Sequence, residues 1–223
     1  AIQSLKNIAS ADKITGVNGG VMQRFICDGA NKNAHIELTL LKDGETAPFD
    51  FDKYPIVVIS GRSNIKSTTK RLQINAGLKI KATGKYERCW GLKSQSGFGD
   101  ETSKVYEKLT KFIIDLKSFN GYSGGEATYA DVEIEAGMKY LRILPWATAK
   151  DIKAGEYFEL EYVGFFKNEK DAEKYVHTSQ GGETSRITLK DNSGNVFKEV
   201  DAVNGTKFIF PKAPELEGYV FIG

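Results

Sequence analysis

The sequence predicts an all-β fold, and three observations support this prediction. Apolar and polar residues alternate in several segments, as they do in half-buried antiparallel strands. The 223-residue chain contains 23 glycines, which is typical of a protein rich in turns and loops. The clearest helical segment is short and follows Asn168.

The predicted strands follow one another in chain order. Within residues 1–53, the best candidates are 21–27 and 34–41, which the turn-like sequence DGANKN separates. A short helix at residues 5–11 is an alternative for the start of the chain. The later strands are predicted at residues 54–62, 70–80, 85–92, 111–116, 129–135, 140–144 and 157–166.

The alternation is clearest in residues 157–166. One side of this predicted strand carries Phe158, Leu160, Tyr162 and Phe166, whereas Glu159 and Glu161 face the other. Asn168 is placed to cap the following helix by accepting a hydrogen bond from a free backbone N–H group. We therefore expect a half-buried strand that leads into one short helix.

Several motifs carry a resemblance to a known family. LRILPW, IKAGEYFELEYVGFF and KNEKDAEKY resemble the closing strands of jelly-roll domains appended to secreted bacterial carbohydrate-active proteins. YPIVVISGRSN and LTKFIIDLKSF match the same pattern, so the resemblance spans roughly residues 54–175. It implies a jelly-roll β-sandwich over residues 1–178 and a carbohydrate-binding function.

A linker and a second module are predicted after this domain. HTSQGGE, at residues 177–183, interrupts both the helical and the strand period. Beyond it, NGTKFIFPKAPELEGYVFIG resembles the Listeria–Bacteroides repeat, a small β-grasp-like module that occurs in surface-exposed bacterial proteins. We therefore predict a second domain at residues 184–223. Since the Trp that usually follows the final Gly is missing, we expect the repeat to be truncated there.

Composition restricts the partners and the location of the protein. Lys and Arg number 31 and Asp and Glu number 29, so the formal net charge of +2 predicts no nucleic-acid partner. No apolar run is long enough for a membrane span, and we expect no membrane insertion. The chain begins AIQSLKNIAS, without Met or a signal-peptide core, so we expect a mature or excised fragment. The repeat resemblance implies an extracellular protein, either secreted or attached to the cell wall.

Two cysteines leave two alternatives open. Cys27 and Cys89 could form one disulfide, but their spacing in the sequence cannot establish the pairing. Strand alternation points Cys89 toward the core, which favours a buried free thiol.

The segment KYERCWG contains the best candidate for a binding surface. In a strand, Tyr86, Arg88 and Trp90 share one face, and Cys89 lies on the other. Because an unpaired Arg is costly to bury, the face that carries Arg88 should be the wet one. An exposed Tyr and Trp beside an Arg form a platform on which the apolar face of a sugar ring can stack.

Two amides could complete this surface. Gln73 and Asn75 alternate outward in the preceding strand and could hydrogen-bond sugar hydroxyls if the two strands are neighbours. The alternative is structural: Trp90 packs beneath the loop SQSGFGD, because large aromatic side chains are mostly buried.

The sequence contains no motif that is typical of an enzyme. His35 and His177 are isolated, so neither a catalytic triad nor a histidine metal site is predicted, and we expect a protein that is not an enzyme and needs no cofactor. A structural calcium ion is the one exception that we considered. Its oxygen ligands could come from Asp28, Asp50 and Asp52.

Two functions from different classes follow. The first is non-catalytic binding of a polysaccharide or oligosaccharide through the aromatic face of a β-sandwich in a secreted or cell-surface bacterial protein. The alternative is a structural or adhesive spacer of a cell-wall-attached protein without a glycan ligand. In both cases the expected neighbours are other domains of a larger surface protein.

Overall fold

The structure, a computed structural model, describes residues 2–16, 20–29, 34–39, 41–42, 45–46, 48–64, 71–94, 109–147, 153–177, 184–191 and 193–204. The strands and the helix are, in order, β1 (Ile2–Lys6), β2 (Ile8–Thr15), β3 (Val21–Cys27), β4 (His35–Thr39), β5 (Leu41–Lys42), β6 (Glu45–Thr46), β7 (Ile56–Ser63), β8 (Arg71–Ile80), β9 (Lys85–Trp90), β10 (Lys93–Ser94), β11 (Thr110–Asp115), β12 (Gly121–Tyr122), β13 (Met138–Ala147), β14 (Tyr157–Phe166), α1 (Glu169–Lys174), β15 (Thr184–Lys190) and β16 (Val196–Val203). Within these ranges, no helix has the length and apolar character that crossing a membrane requires.

Two six-stranded sheets form the main body. The front sheet has the strand order β1-β4-β13-β8-β9-β12, and the back sheet has the order β10-β11-β7-β14-β3-β2. The pairings along both sheets are antiparallel, for example β8 with β9 and β14 with β7. Two small antiparallel pairs, β5 with β6 and β15 with β16, lie outside these sheets.

Eight central strands define the connectivity. They lie in the order β11-β7-β14-β3 in the back sheet and β4-β13-β8-β9 in the front sheet. Along the chain, β3 lies in the back sheet, β4 in the front, β7 in the back, β8 and β9 in the front, β11 in the back, β13 in the front and β14 in the back. Eight strands that alternate between two sheets in this way form a jelly roll. The predicted all-β jelly-roll sandwich is therefore confirmed.

The core lies between the inner faces of the two sheets. Every second residue of the central strands points into it, as the period of two requires. The front sheet contributes Ile36, Ile74, Ala76, Leu78, Cys89, Leu141 and Ile143, and the back sheet contributes Phe25, Val57, Ile59, Phe112, Ile114, Phe158 and Leu160.

Strand β7 is buried on both faces, which explains why its sequence lacks alternation. Val57 and Ile59 face the core, whereas Ile56 and Val58 face a smaller apolar cluster on the outer face of the back sheet. Ala172 of α1 belongs to that cluster, so the short helix covers this part of the sheet. The predicted cap is present, since the Asn168 side chain accepts a hydrogen bond from the N–H of Asp171 at 2.9 Å.

Two local predictions were wrong. Residues 129–135 form two short 3-10 turns, Tyr129–Asp131 and Ile134–Ala136, rather than a strand. The carboxylate of Asp131 accepts hydrogen bonds from the backbone N–H and the hydroxyl of Thr128, and such local bonds compete with strand pairing. The helix alternative at residues 5–11 is excluded as well, because β1 and β2 occupy this segment.

The chain divides into two compact units. Unit 1 contains Ala1–Ala11 and Gln23–Thr178, and unit 2 contains Asp12–Met22 and Ser179–Gly223. The described buried residues of unit 2 come from both of its segments: Ile14, Met22, Ala202 and Val203. Within it, the N–H of Val203 donates to the hydroxyl of Thr15 at 3.3 Å. The predicted boundaries at 178 and 184 stay a prediction, and half of the predicted β-grasp-like module, chiefly residues 205–223, lies outside the described residues.

Both cysteines are buried, and the structure has them as thiols rather than as a disulfide. Cys89 is fully buried on the inner face of β9, as strand alternation predicted, and burial raises the pKa of its thiol to about 12.

Candidate functional site

The five residues predicted to bind a ligand lie on adjacent strands of one sheet. β8 and β9 pair directly, with Gly77 opposite Arg88 and Ala76 opposite Cys89. Ala76 and Cys89 face the core. The outer face of the front sheet therefore carries the side chains of Tyr86, Arg88 and Trp90 from β9 and of Gln73 and Asn75 from β8. The structure therefore brings these five residues together. Whether they bind a ligand stays a prediction.

Two residues that the sequence analysis did not select complete this surface. Tyr140 and Arg142 of β13 lie opposite Gly77 and Asn75, on the other side of β8 from β9. Arg142 forms an ion pair with Glu37 of β4, with 2.5 Å between Nη2 and Oε2. The outer face of the front sheet thus carries polar and aromatic groups from four neighbouring strands, β4, β13, β8 and β9. We call this surface the front face.

A glycine lies at the centre of the front face. A Cβ atom at Gly77 would approach Tyr140 Cε1 to 2.4 Å, so the tyrosine ring occupies the space above this residue. Any side chain at position 77 would displace the ring. Glycine is therefore required here for a close approach between a side chain and the backbone.

The charges of two arginines act on Tyr140. The Cζ atom of Arg142 is 5.4 Å from the centroid of its ring, and Arg88 lies opposite Gly77 on the far side of β8. Burial raises the pKa of Tyr140, and the positive charges of both arginines oppose this shift. At neutral pH the hydroxyl is therefore protonated and can both donate and accept a hydrogen bond.

The β9 row is less exposed than the sequence predicted. Arg88 is exposed, but Tyr86 and Trp90 are only partly so. The hydroxyl of Tyr86 donates to the carbonyl of Ala136 at 2.5 Å, so this group is engaged within the protein. Arg88 lies over the ring of Trp90, with 5.4 Å from Cζ to the centroid.

The sequence left open whether Trp90 is an exposed stacking platform or a packed structural residue, and the structure agrees with each in part. Its indole packs against the neighbouring strand, because a Cβ at Gly121 would lie 2.6 Å from Nε1. The residue as a whole is partly exposed. The loop SQSGFGD, proposed as a cover for Trp90, lies in residues 94–100, most of which are outside the described residues.

Asn75 is a buried polar residue on the front face. Its side chain is 2% exposed, and the amide nitrogen donates to the carbonyl of Ile74 at 3.0 Å. Among the described residues, this is the single hydrogen bond of its side chain, although an amide can form up to four. Asn75 therefore faces outward as predicted, but the expectation that its amide is open to a ligand at the rim of the surface was wrong, because the residue is covered.

The aspartates considered for calcium make contacts within the protein. Asp52 accepts hydrogen bonds from Lys117, at 2.5 Å, and from the hydroxyl of Tyr129, and these bonds lower the pKa of its carboxyl. Asp50 accepts a hydrogen bond from the N–H of Lys53 at 3.0 Å. In the part of the chain that the structure describes, no group of three or more His, Cys, Asp or Glu side chains could hold a metal ion. The expectation that the protein needs no cofactor stays a prediction.

Comparison with known proteins gives a likeness of fold. No protein-family model and no curated protein matches this chain in sequence. Among solved structures, the chain is similar to a substituted form of a family 7 alginate lyase in complex with substrate. The two are 12% identical, the match covers 72% of this chain and 84% of that chain, and the TM-score is 0.36.

This comparison changes two of the predictions. The similar structure is a lyase, which contradicts the prediction that the protein is not an enzyme. That prediction relied on the absence of a local catalytic motif, whereas a sandwich can assemble a site from residues of separate strands. The Listeria–Bacteroides repeat predicted at residues 184–223 has no support, because no family model matches there.

Proposed function

We propose that the jelly roll of unit 1 binds a polysaccharide on the front face. The observation that carries this proposal is the convergence of Trp90, Arg88 and Gln73 on adjacent strands of one outer face. Partly exposed aromatic rings can stack on the apolar face of a sugar, and neighbouring amides and guanidinium groups can hydrogen-bond its hydroxyls. Both elements are present on this surface.

Arg88 supports the proposal more strongly than its neighbours do. It is exposed, and among the described residues it forms no ion pair, whereas Arg142 is paired with Glu37. A charged donor without a carboxylate partner is available to a ligand, and a hydrogen bond to a charged group contributes about 1.5–3 kcal/mol.

Affinity electrophoresis tests the proposal with starch, xylan, mannan, β-glucan and alginate. The wild-type protein should be retarded by at least one of these polysaccharides. Arg88→Ala should weaken this binding about 10- to 150-fold and leave the melting temperature nearly unchanged, because the side chain is exposed. Each mixture should also be analysed for shortening of the polysaccharide, which would add a catalytic step to the binding that we propose.

Trp90→Ala tests the stacking contact. It should remove most of the binding and destabilise the protein by about 2 kcal/mol, roughly half the cost for a fully buried aromatic, because the ring is half-buried. Tyr175→Ala is the matched control, since this exposed aromatic lies in the segment after α1, away from the front face. Equal retardation of Trp90→Ala and Tyr175→Ala would contradict the proposal. A wild-type protein that no polysaccharide retards would favour the alternative of a structural or adhesive spacer.

We also propose that the protein acts outside the cell, secreted or attached to the cell wall, together with other domains of a larger surface protein. Polysaccharides of the kind tested are found there. Immunodetection in the culture supernatant and in the cell-wall fraction, compared with the cytoplasmic fraction, tests this location. Detection in the cytoplasm alone would contradict it.

A further inference from the structure

The hydroxyl of Tyr140 has no hydrogen-bond partner among the described residues, although the side chain is half-buried. By contrast, the hydroxyl of Tyr86, which also belongs to the front face, donates to the carbonyl of Ala136 at 2.5 Å. A polar group that folding removes from water and leaves without a partner costs free energy, so an unpartnered hydroxyl in a binding surface requires an explanation.

Gly77 determines where this hydroxyl lies. A Cβ at position 77 would lie 2.4 Å from Tyr140 Cε1 and 2.7 Å from Cζ, the carbon that carries the hydroxyl. The hydroxyl end of the ring therefore lies above β8 rather than above its own strand. Arg88 is the next residue across β8 in the register, and its charge acts on the pKa of Tyr140, so the ring lies on the side of β13 that faces the row containing Arg88 and Trp90.

We propose that the Tyr140 hydroxyl is a specificity-determining contact, which hydrogen-bonds one hydroxyl of a sugar bound above Gly77. This inference rests on the function proposed above and adds a residue and a role to the same surface. A site built to pair with a ligand hydroxyl rejects sugars that lack it or present it differently, because its own polar groups then stay unpaired.

Tyr140→Phe is the decisive variant, because it removes the hydroxyl and keeps the ring above Gly77. Tyr162→Phe is the matched control: Tyr162 is also half-buried and without a hydrogen bond among the described residues, but it packs in the apolar cluster on the back sheet. Both variants should be compared with wild type by affinity electrophoresis on starch, xylan, mannan, β-glucan and alginate, and by thermal unfolding.

We expect Tyr140→Phe to bind the preferred polysaccharide about 2- to 12-fold more weakly, as for the loss of one neutral hydrogen bond. Its preference over the second-best polysaccharide should decrease by a similar factor, because the lost contact carries the specificity. Tyr162→Phe should bind as the wild type does. The melting temperatures of both variants should stay close to that of the wild type.

Gly77→Ala provides an independent test with the hydroxyl present. The added methyl group should displace the Tyr140 ring and reproduce the loss of binding, and combining it with Tyr140→Phe should add little. If Gly77→Ala does not fold, Tyr140→Phe still decides the question.

The outcomes separate this inference from the proposed function. Wild-type affinity and preference in Tyr140→Phe, together with loss of binding in Trp90→Ala, would overturn the role of Tyr140 and leave the proposed function intact. A wild-type protein that none of the five polysaccharides retards would overturn both.

Discussion

Replacement of Glu159 should be one of the most destabilising substitutions on the outer face of the back sheet. It lies in β14 on the outer face of the back sheet, opposite Arg24 of β3 and Arg62 of β7. Its carboxylate accepts a hydrogen bond from Arg24 Nε at 2.8 Å and forms ion pairs with both guanidinium groups. The side chain of Glu159 is completely buried, whereas those of Arg24 and Arg62 are 15% and 20% exposed.

Glu159→Gln keeps the volume of the side chain and removes its charge, leaving two adjacent arginines without a carboxylate. Breaking a buried ion pair from one side costs about 3–5 kcal/mol. Because both arginines keep some contact with solvent, we expect the lower end of this range, about 3 kcal/mol. For a domain of this size, that loss corresponds to a decrease of about 6–12 °C in melting temperature.

Thermal unfolding followed by circular dichroism measures this effect. Glu161→Gln is the matched control on the same strand, since Glu161 is half-buried and accepts one hydrogen bond, from the hydroxyl of Ser60 at 2.7 Å. It should cost about 1 kcal/mol or less. Equal decreases in melting temperature for the two variants would refute the reasoning, because burial between two cations is what distinguishes Glu159.

Two further predictions concern accessibility. In native protein at pH 8, Cys89 should react with a thiol reagent far more slowly than in denaturant, because the residue is buried. Its thiol pKa is also raised to about 12, so roughly one thiol in ten thousand is ionised at this pH. A native reaction rate equal to the denatured rate would show that the register of β9 is wrong. Limited proteolysis should cut first within residues 177–185, between the two units, and cleavage spread evenly along the chain would contradict the division. Because residues 12–22 belong to the same unit as 179–223, the C-terminal fragment should stay associated after the cut and separate in denaturant.

Local sequence signals predicted the side-chain faces of most strands. The faces predicted for Tyr162 and Phe166 were wrong, because a register shift in β14 between Leu160 and Tyr162 places both side chains on the outer face of the back sheet. A strand has a period of two whatever its partners are, so the segment KYERCWG was sufficient to place Cys89 in the core and Arg88 on the opposite face. The cap at Asn168 also depends on atoms only three residues apart. Such features follow from the order of residues along a short segment.

Burial on the outer faces could not be predicted in the same way. Glu159 does point away from the core, as its alternation predicted, yet it is fully buried because Arg24 and Arg62 cover it. These residues are separated from it by 135 and 97 positions in the chain. Alternation assigns a residue to a face, but it does not identify the neighbours that cover that face.

The sequence by itself determined that the chain is built from antiparallel strands and which side chains share a face, because both depend on local periodicity. The order of the strands was decided by the tertiary structure, which places β8 between β9 and β13. Tyr140 therefore meets Gly77 and approaches Arg88, a relation that no spacing in the sequence expresses. The front face depends on this order, because each strand contributes only a few side chains and their lateral pairing makes a continuous surface.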